Sequence, residues 1–246
     1  MNRISTLIPT HNSLRFLKLC VKSFRKYSLP DNRLIVHVDG SIDGTREWLQ
    51  NEGVEHTYDE WKGIPHAVNT LAKKSDSEFI GFINDDVVFS PDWDKNVLSW
   101  LKDDVIICPE LLEAQMSDFG RTPEEFNEEA FVKYVEEKSE HRLEPKHWGL
   151  WFMKRELFFK NGLHDLNYKP YGMEDIDFYM RLKKNFPDVR IYVAHDFILY
   201  HFVAGSKSKV EGGWAKIGPR IDAYFKKKWE MGTGEATKIL REWVRR

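Results

Sequence analysis

Residues 78–93, EFIGFINDDVVFSPDW, restrict what this chain can fold into more than any other stretch. An apolar run from Phe79 to Ile83 reads as a buried strand, breaks into Asn84-Asp85-Asp86 and resumes as Val87-Val88-Phe89. Adjacent carboxylates repel and lose hydration as a strand enters a core, so they are tolerated where water or a cation meets them at the strand's C-terminal end. Open α/β sheets bind their ligands at that edge. The competing reading is a plain polar turn, with Asp92 capping the next helix.

The surrounding chain repeats a strand, polar loop, helix pattern. Ile4–Ile8 is a short strand running into Pro9-Thr10-His11-Asn12, with Asn12 or Ser13 as cap of a helix that carries Leu14, Leu17, Val21 and Phe24 at helical spacing. Such a junction presents backbone N–H groups to an anion. Arg33–Val38 is a second strand, followed by Asp39-Gly40-Ser41-Ile42-Asp43-Gly44-Thr45, a tight polar turn in which Asp43 can cap the helix over 46–51. Val54–Tyr58 reads as a third strand, and Gly63-Ile64-Pro65-His66-Ala67-Val68-Asn69 opens a helix reaching about Lys74, with Pro65 in its first turn. A helix over 92–101 and a strand over 105–108 follow. This alternation predicts an α/β fold, a mostly parallel sheet with helices on both faces.

Residues 110–147 turn acidic and polar and read as a helical insertion starting at Thr122-Pro123-Glu124-Glu125, with Phe126, Ala130, Tyr134, Phe131 and Val135 on its apolar side. A strand (148–153), a short helix (154–161), the loop Tyr171-Gly172-Met173-Glu174-Asp175-Ile176-Asp177 opening another helix, and strands over 190–194 and 197–202 complete the sheet. Acids at a helix start also stabilise its dipole, which is the plain reading of 174–177. The expected organisation is one domain over 1–206 and a basic amphipathic helical tail over 207–246.

The formal net charge of −2 argues against general nucleic-acid binding. The tail from Gly205 holds eleven Lys and Arg against five Asp and Glu, net +6, leaving −8 on the remainder. With Trp229 and Trp243, that asymmetry hints at peripheral contact with an anionic membrane, or is only the solvated side of amphipathic helices. Cys20 and Cys108 match no metal-binding spacing and read as reduced, buried thiols. No stretch approaches a membrane span or a signal peptide, so a cytoplasmic protein is expected.

Four stretches in this order, the Pro-Thr-x-Asn loop, VDGSIDGT, the Asn-Asp-Asp after FIGFI, and YGMEDIDF, resemble the family 2 inverting glycosyltransferases of GT-A fold. GIPHAVN resembles that family's Gly-x-x-x-Ala-Arg-Asn segment, and WFMKRELFFKNGLHD its acceptor-side strand and helix. The resemblance implies transfer of a sugar from a nucleotide-diphosphate donor, a UDP-sugar first, to a hydroxyl of a glycan, lipid-linked or small-molecule acceptor. It assigns 1–109 to the nucleotide-sugar half and 148–206 to the acceptor half. It places the nucleotide against Pro9, Thr10, His11, Asn12, Asp39, Asp43, Gly63, Asn69, Asn84 and Asp85, with Asp39 on the base. It makes Asp86 and His201 the ligands of a divalent cation, Mn²⁺ ahead of Mg²⁺, with His195 as rival to His201. Asp175 becomes the general base, and Glu174 and Trp148 acceptor contacts.

Two departures stand out. Asn84 replaces the first acid of the family's Asp-x-Asp, and Val68 stands where Arg is common. They keep open a silent domain that binds nucleotide or glycan without transfer. A sugar-phosphate nucleotidyltransferase shares the strand-loop-helix logic, but its first loop is Gly-rich and basic, unlike 9–13. A nicotinamide dehydrogenase is disfavoured because no GxGxxG follows the first strand.

Overall fold

The apolar runs that lack alternation occupy the middle of one sheet. A computed structural model of the chain describes residues 4–147, 149–203 and 213–246. Its strands are β1 (Ile4–Thr10), β2 (Arg33–Asp39), β3 (His56–Asp59), β4 (Phe79–Phe82), β5 (Val87–Phe89), β6 (Val105–Glu113), β7 (Leu143–Pro145), β8 (Trp151–Lys154) and β9 (Arg190–His201). They line up as β3-β2-β1-β4-β8-β6-β9-β5, with β7 added on β9. The first four are mutually parallel, and β6 is parallel to β9. Only β8, β5 and β7 run against their neighbours, so the sheet is mostly parallel. β1 is buried at six of seven positions and β4 at all four, the pattern of strands covered on both faces.

Helices α1 (Leu14–Tyr27), α2 (Thr45–Asn51), α3 (Ile64–Lys74), α4 (Trp93–Trp100), α5 (Glu128–Lys138), α6 (Arg155–Lys160), α7 (Glu174–Asn185), α8 (Gly213–Trp229) and α9 (Thr233–Val244) complete the fold. The anticipated α/β architecture is present, with local differences, the first being that β6 runs on to Glu113 beyond the expected 105–108. The helix of the insertion starts at Glu128, not near Thr122: the Asn127 side chain accepts from the Ala130 N–H at 3.0 Å, while Thr122–Glu125 closes a turn. A genuine Asx cap outcompetes the Thr-Pro-Glu-Glu signature, and Phe131 and Val135 form the buried side. The two last strands are one, β9, in which residues 195–197 bulge out between the pairs Pro109–Ala194 and Glu110–Ile198. β7, three residues without alternation, left no trace in the sequence pattern.

The tail packs on the body. The Trp229 indole donates to Asp177 at 2.9 Å and the Trp243 indole to the Pro187 carbonyl at 3.0 Å. Trp243 is buried and Trp229 half-buried, so the two tryptophans that suggested a membrane surface pack on the body through these N–H bonds. Among the described residues, no helix is long and apolar enough to cross a membrane.

One glycine ties the two halves together. Gly63 has φ +92° and ψ 169°, a region open essentially to glycine alone, and an added Cβ would lie 2.3 Å from the Pro170 carbonyl oxygen. The next residue, Ile64, donates its N–H to that same oxygen at 2.7 Å. Gly63→Ala is expected to cost about 2–5 kcal/mol from backbone strain plus overpacking, read by denaturant unfolding. A loss below about 1 kcal/mol would show that the 170 loop yields freely.

Candidate active site

β1, β2 and β4 are parallel, so their C-terminal ends lie along one edge, and each ends in polar residues. Off β1, the Thr10 hydroxyl donates to Asp85 Oδ2 at 2.7 Å, joining the first loop to the acidic one. His11 Nδ1 donates to the Asp39 carbonyl at 2.6 Å, since a carbonyl only accepts, and Nε2 then accepts from the Asn12 amide at 3.2 Å. Asn12, at φ +49°, also takes the Ile42 N–H on its side-chain oxygen, pinning loop 9–13 to loop 39–45. Off β2, Asp39 is 4% exposed and receives two backbone N–H groups, Lys62 at 2.7 Å and Gly63 at 2.8 Å, one on each oxygen. Each carboxylate oxygen keeps a further acceptor site for a ligand donor. Trp61 lies over Gly40, where a Cβ would collide with it, and beside the His11 ring at 5.7 Å. Its ring is half exposed, a stacking surface beside Asp39.

Asp43 works differently. One oxygen accepts from the Leu14 N–H at 2.9 Å and the other from Thr45, so it caps α1 and α2 at once. Asn69 pairs both ways with the His164 backbone, donating at 2.8 Å and accepting at 2.9 Å. Its amide is thereby committed to the α3 packing.

The acidic loop between β4 and β5 sits against the end of β9. Val87 pairs with His201, and the Phe202 N–H donates to the Asp86 carbonyl at 3.0 Å. That pairing sets His201 Nε2 at 3.2 Å from Asp86 Oδ1, with the Asn84 amide nitrogen 3.3 Å from the same ring nitrogen. Asp86 is 2% exposed, and His201 Nδ1 is buried with no hydrogen-bond partner. The Cys20 thiol beneath is pushed well up by burial and then by the charges of Asp85 and Asp86. Two ligands about 2.1 Å from one ion and at right angles lie about 3 Å apart, so Asp86 and His201 fit a shared divalent cation. A mixed oxygen and imidazole set suits Mn²⁺ better than Mg²⁺. His195 lies elsewhere, its ring between Glu110 at 2.7 Å and Glu144 at 3.2 Å.

The same edge carries Asp175. Phe82 at the end of β4 pairs with Trp151, so residues 149 and 150 lie just beyond it. An added Cβ on Gly149 would stand 3.5 Å from Asp175 Oδ2, which places the Asp175 carboxylate beside this edge. Asp175 is half-buried in the first turn of α7, with Oδ1 accepting the Ile176 N–H at 2.8 Å. Burial pushes the nearby His147 imidazole down, against a partial lift from the Asp175 charge. Glu174 folds its carboxylate back onto the Gly172 N–H. Trp148 lies outside the described residues. Trp214 stacks on Tyr171 with ring centroids 6.4 Å apart and covers Gly172, three residues before Asp175.

The sequence profile described as Glycosyl transferase family 2 matches residues 5–162, well over half of the chain. The chain belongs to glycosyl transferase family 2. EpsH of Bacillus subtilis (strain 168), named as a glycosyltransferase, is 23% identical over 147 residues, 57% of this chain; the chain spans only 41% of its length. The fold is that of GT-A glycosyltransferases. The mannosyltransferase PcManGT of Pyrobaculum calidifontis, solved with GDP-Man and Mn²⁺, superposes with a TM-score of 0.63 at 18% identity, covering 99% of this chain and 69% of that one. Staphylococcus aureus TarS 1–349 with UDP gives 0.61 at 13% identity, covering 93% and 72%.

In this family 2 chain the sheet edge gathers Thr10, His11, Asn12, Asp39, Gly63, Asn84, Asp85, Asp86, Glu174, Asp175 and His201 from strands and loops distant in sequence. Trp61 and Trp214, which lie beside these residues, were not singled out in the sequence. Their signal lay in adjacency, Trp61 two residues before Gly63 and Trp214 just after the Gly212-Gly213 pair, and nine tryptophans in all diluted it.

Proposed function

We propose that this chain transfers a sugar, with inversion, from a nucleotide-diphosphate donor, a UDP-sugar first, to an acceptor hydroxyl on a glycan, a lipid-linked glycan or a small molecule. The observation that carries this reading is the juxtaposition of Asp86 and His201 at 3.2 Å on the edge that also holds Asp39 and Asp175. Family membership and neighbours solved with UDP, UDP-GlcNAc or GDP-Man and Mn²⁺ support it.

In this reading Asp39 takes a donor N–H of the base, Trp61 and His11 flank the ring, and Thr10 holds Asp85 toward the ribose. Asp86, His201 and, after its amide turns, Asn84 would hold the divalent cation, which as a Lewis acid stabilises charge on the departing diphosphate. Asp175 accepts the acceptor hydroxyl's proton as that oxygen attacks the anomeric carbon, and a single displacement inverts the centre. Glu174 shapes the loop that presents Asp175, and Trp214, exposed and backed by the buried Tyr171, offers an aromatic surface to the acceptor. Asn84 in place of an acid favours a second reading, nucleotide binding without transfer.

Calorimetric titration with UDP, TDP and GDP, each with and without Mn²⁺, tests the donor site. The expected result is metal-dependent binding of UDP that Asp86→Asn weakens at least about 10-fold. No binding of any of the three by folded protein would remove the donor assignment.

A further inference from the structure

We propose that His37, Asp59 and His66 form a second cation site, separate from the Asn84, Asp86 and His201 cluster and selective for Zn²⁺-class metals. It goes beyond the transferase reading and does not rest on it. His37 on β2, Asp59 at the end of β3 and His66 in the first turn of α3 each offer one ligand atom, and the three atoms lie within 4.8 Å of one another. Tetrahedral zinc, with bonds of about 2.0–2.2 Å, needs them about 3.4 Å apart, a closure within reach of side-chain rotation at His66 and Asp59.

Two observations point to a ligand. His37 is wholly buried, yet its Nε2 has no hydrogen-bond partner, while Nδ1 is held by the Thr57 hydroxyl at 2.7 Å. One nitrogen fixed by an outer partner and the other presented bare is how metal-binding histidines are oriented. His66 Nδ1 is likewise buried without a partner, and its Nε2 stands 3.7 Å from Asp59 Oδ2. Burial pushes the His37 imidazole down to about 4, against the pull of Asp39 and Asp59.

Two imidazoles and one carboxylate, with a fourth position left to water, suit Zn²⁺ and its neighbours, whereas Mg²⁺ and Mn²⁺ prefer oxygen-rich sets. The charged group opposing a cation here is Lys62, whose ammonium lies 2.9 Å from Asp59 Oδ1. Zinc would have to displace it. Asp59 pairs across the ladder with Asp39, and the N–H groups of Lys62 and Gly63 grip the Asp39 carboxylate. An ion at this site would therefore cross-link β2, β3 and α3 around the loop that holds Asp39.

Equilibrium dialysis of metal-stripped full chain against Zn²⁺ tests this, with an Asp86→Asn, His201→Gln background to remove the other cluster. About one Zn²⁺ per chain is expected in that background, with a Tm that rises on loading. His66→Gln, at a quarter-exposed position, should weaken binding at least about 10-fold and abolish the Tm rise while the protein stays folded by circular dichroism; His37→Gln should do the same. Lys62→Ala should tighten binding. Failure of the folded background protein to bind Zn²⁺, or binding indifferent to His66→Gln, would overturn the proposal.

Discussion

Asp175→Asn is expected to lower sugar transfer by about 10²–10⁴-fold while leaving nucleotide affinity within about 2-fold. The substitution is nearly isosteric and keeps an oxygen to accept the Ile176 N–H, so α7 retains its first turn. It removes the one property the reaction needs there, a carboxylate that takes a proton. Asp175 stands on α7, whereas the donor contacts proposed above involve Asp39, Thr10 and the Asp86–His201 pair, carried by β2, β1, the β4–β5 loop and β9. Single-turnover transfer beside nucleotide titration separates the two. Unchanged turnover would show that another group is the base. A wild-type chain that binds nucleotide and transfers nothing to any acceptor would favour the silent-domain reading.

The largest stability effect is expected at Asp177. Its carboxylate is fully buried and meets Arg181 at 2.9 Å, Lys228 at 2.7 Å, the Trp229 indole at 2.9 Å and the Tyr168 hydroxyl at 3.2 Å. Asp177→Ala removes the carboxylate from a 16%-exposed guanidinium and leaves the Trp229 indole N–H without that acceptor, while Lys228 keeps Asp165; this should cost about 3–5 kcal/mol in denaturant unfolding and expose α8 and α9 to protease. A cost below about 1 kcal/mol with the tail protected would mean that Ile221, Phe225, Leu240 and Trp243 hold it by apolar packing alone. The same clasp has an acid limit. Burial works against the charge of Asp165, but hydrogen bonds from Lys228, the Asn167 N–H and Tyr224 prevail and hold its carboxyl at about 2, below an ordinary 3.8. Since a depressed carboxyl stabilises the fold above its unfolded value, this contribution is complete above about pH 4 and lost as pH falls toward 2. Trp229 fluorescence should report the loosening in that window.

Runs such as Phe79–Ile83 and Ile4–Ile8 announced central strands because burial on both faces demands unbroken apolar sequence, and the acids after β4 announced the ligand edge because charge there needs a partner. Partnerships between distant residues were not legible. Asn69 reads as a surface amide until His164, ninety-five positions away, is placed against it, and Asp43 reads as the cap of one helix until Leu14 shows that it caps two. The sequence already put His201 ahead of His195; its 3.2 Å approach to Asp86 comes from β5–β9 pairing, which periodicity does not encode. Thr122 shows the converse error, a local signal overruled when Phe126, beside Phe131 and Tyr200 in an aromatic cluster, leaves Asn127 to start the helix.

The bulge in β9 decouples two lengths of chain. Residues 190–194 are locked to β6 and β7, and 198–201 are locked separately to the far end of β6 and to β5, so residues 195–197, with Phe197 buried against Trp93 and Phe152, join two separately fixed registers. An inserted residue there would first disturb Phe197 in the core and the contact of Asp196 with the Trp100 indole, and would reach the His201–Asp86 pair only if the β5–β9 register also slipped. A one-residue change inside 198–201 or 87–89 shifts that register directly. Length variation more restricted there than at 195–197 is the signature this arrangement would leave on related chains.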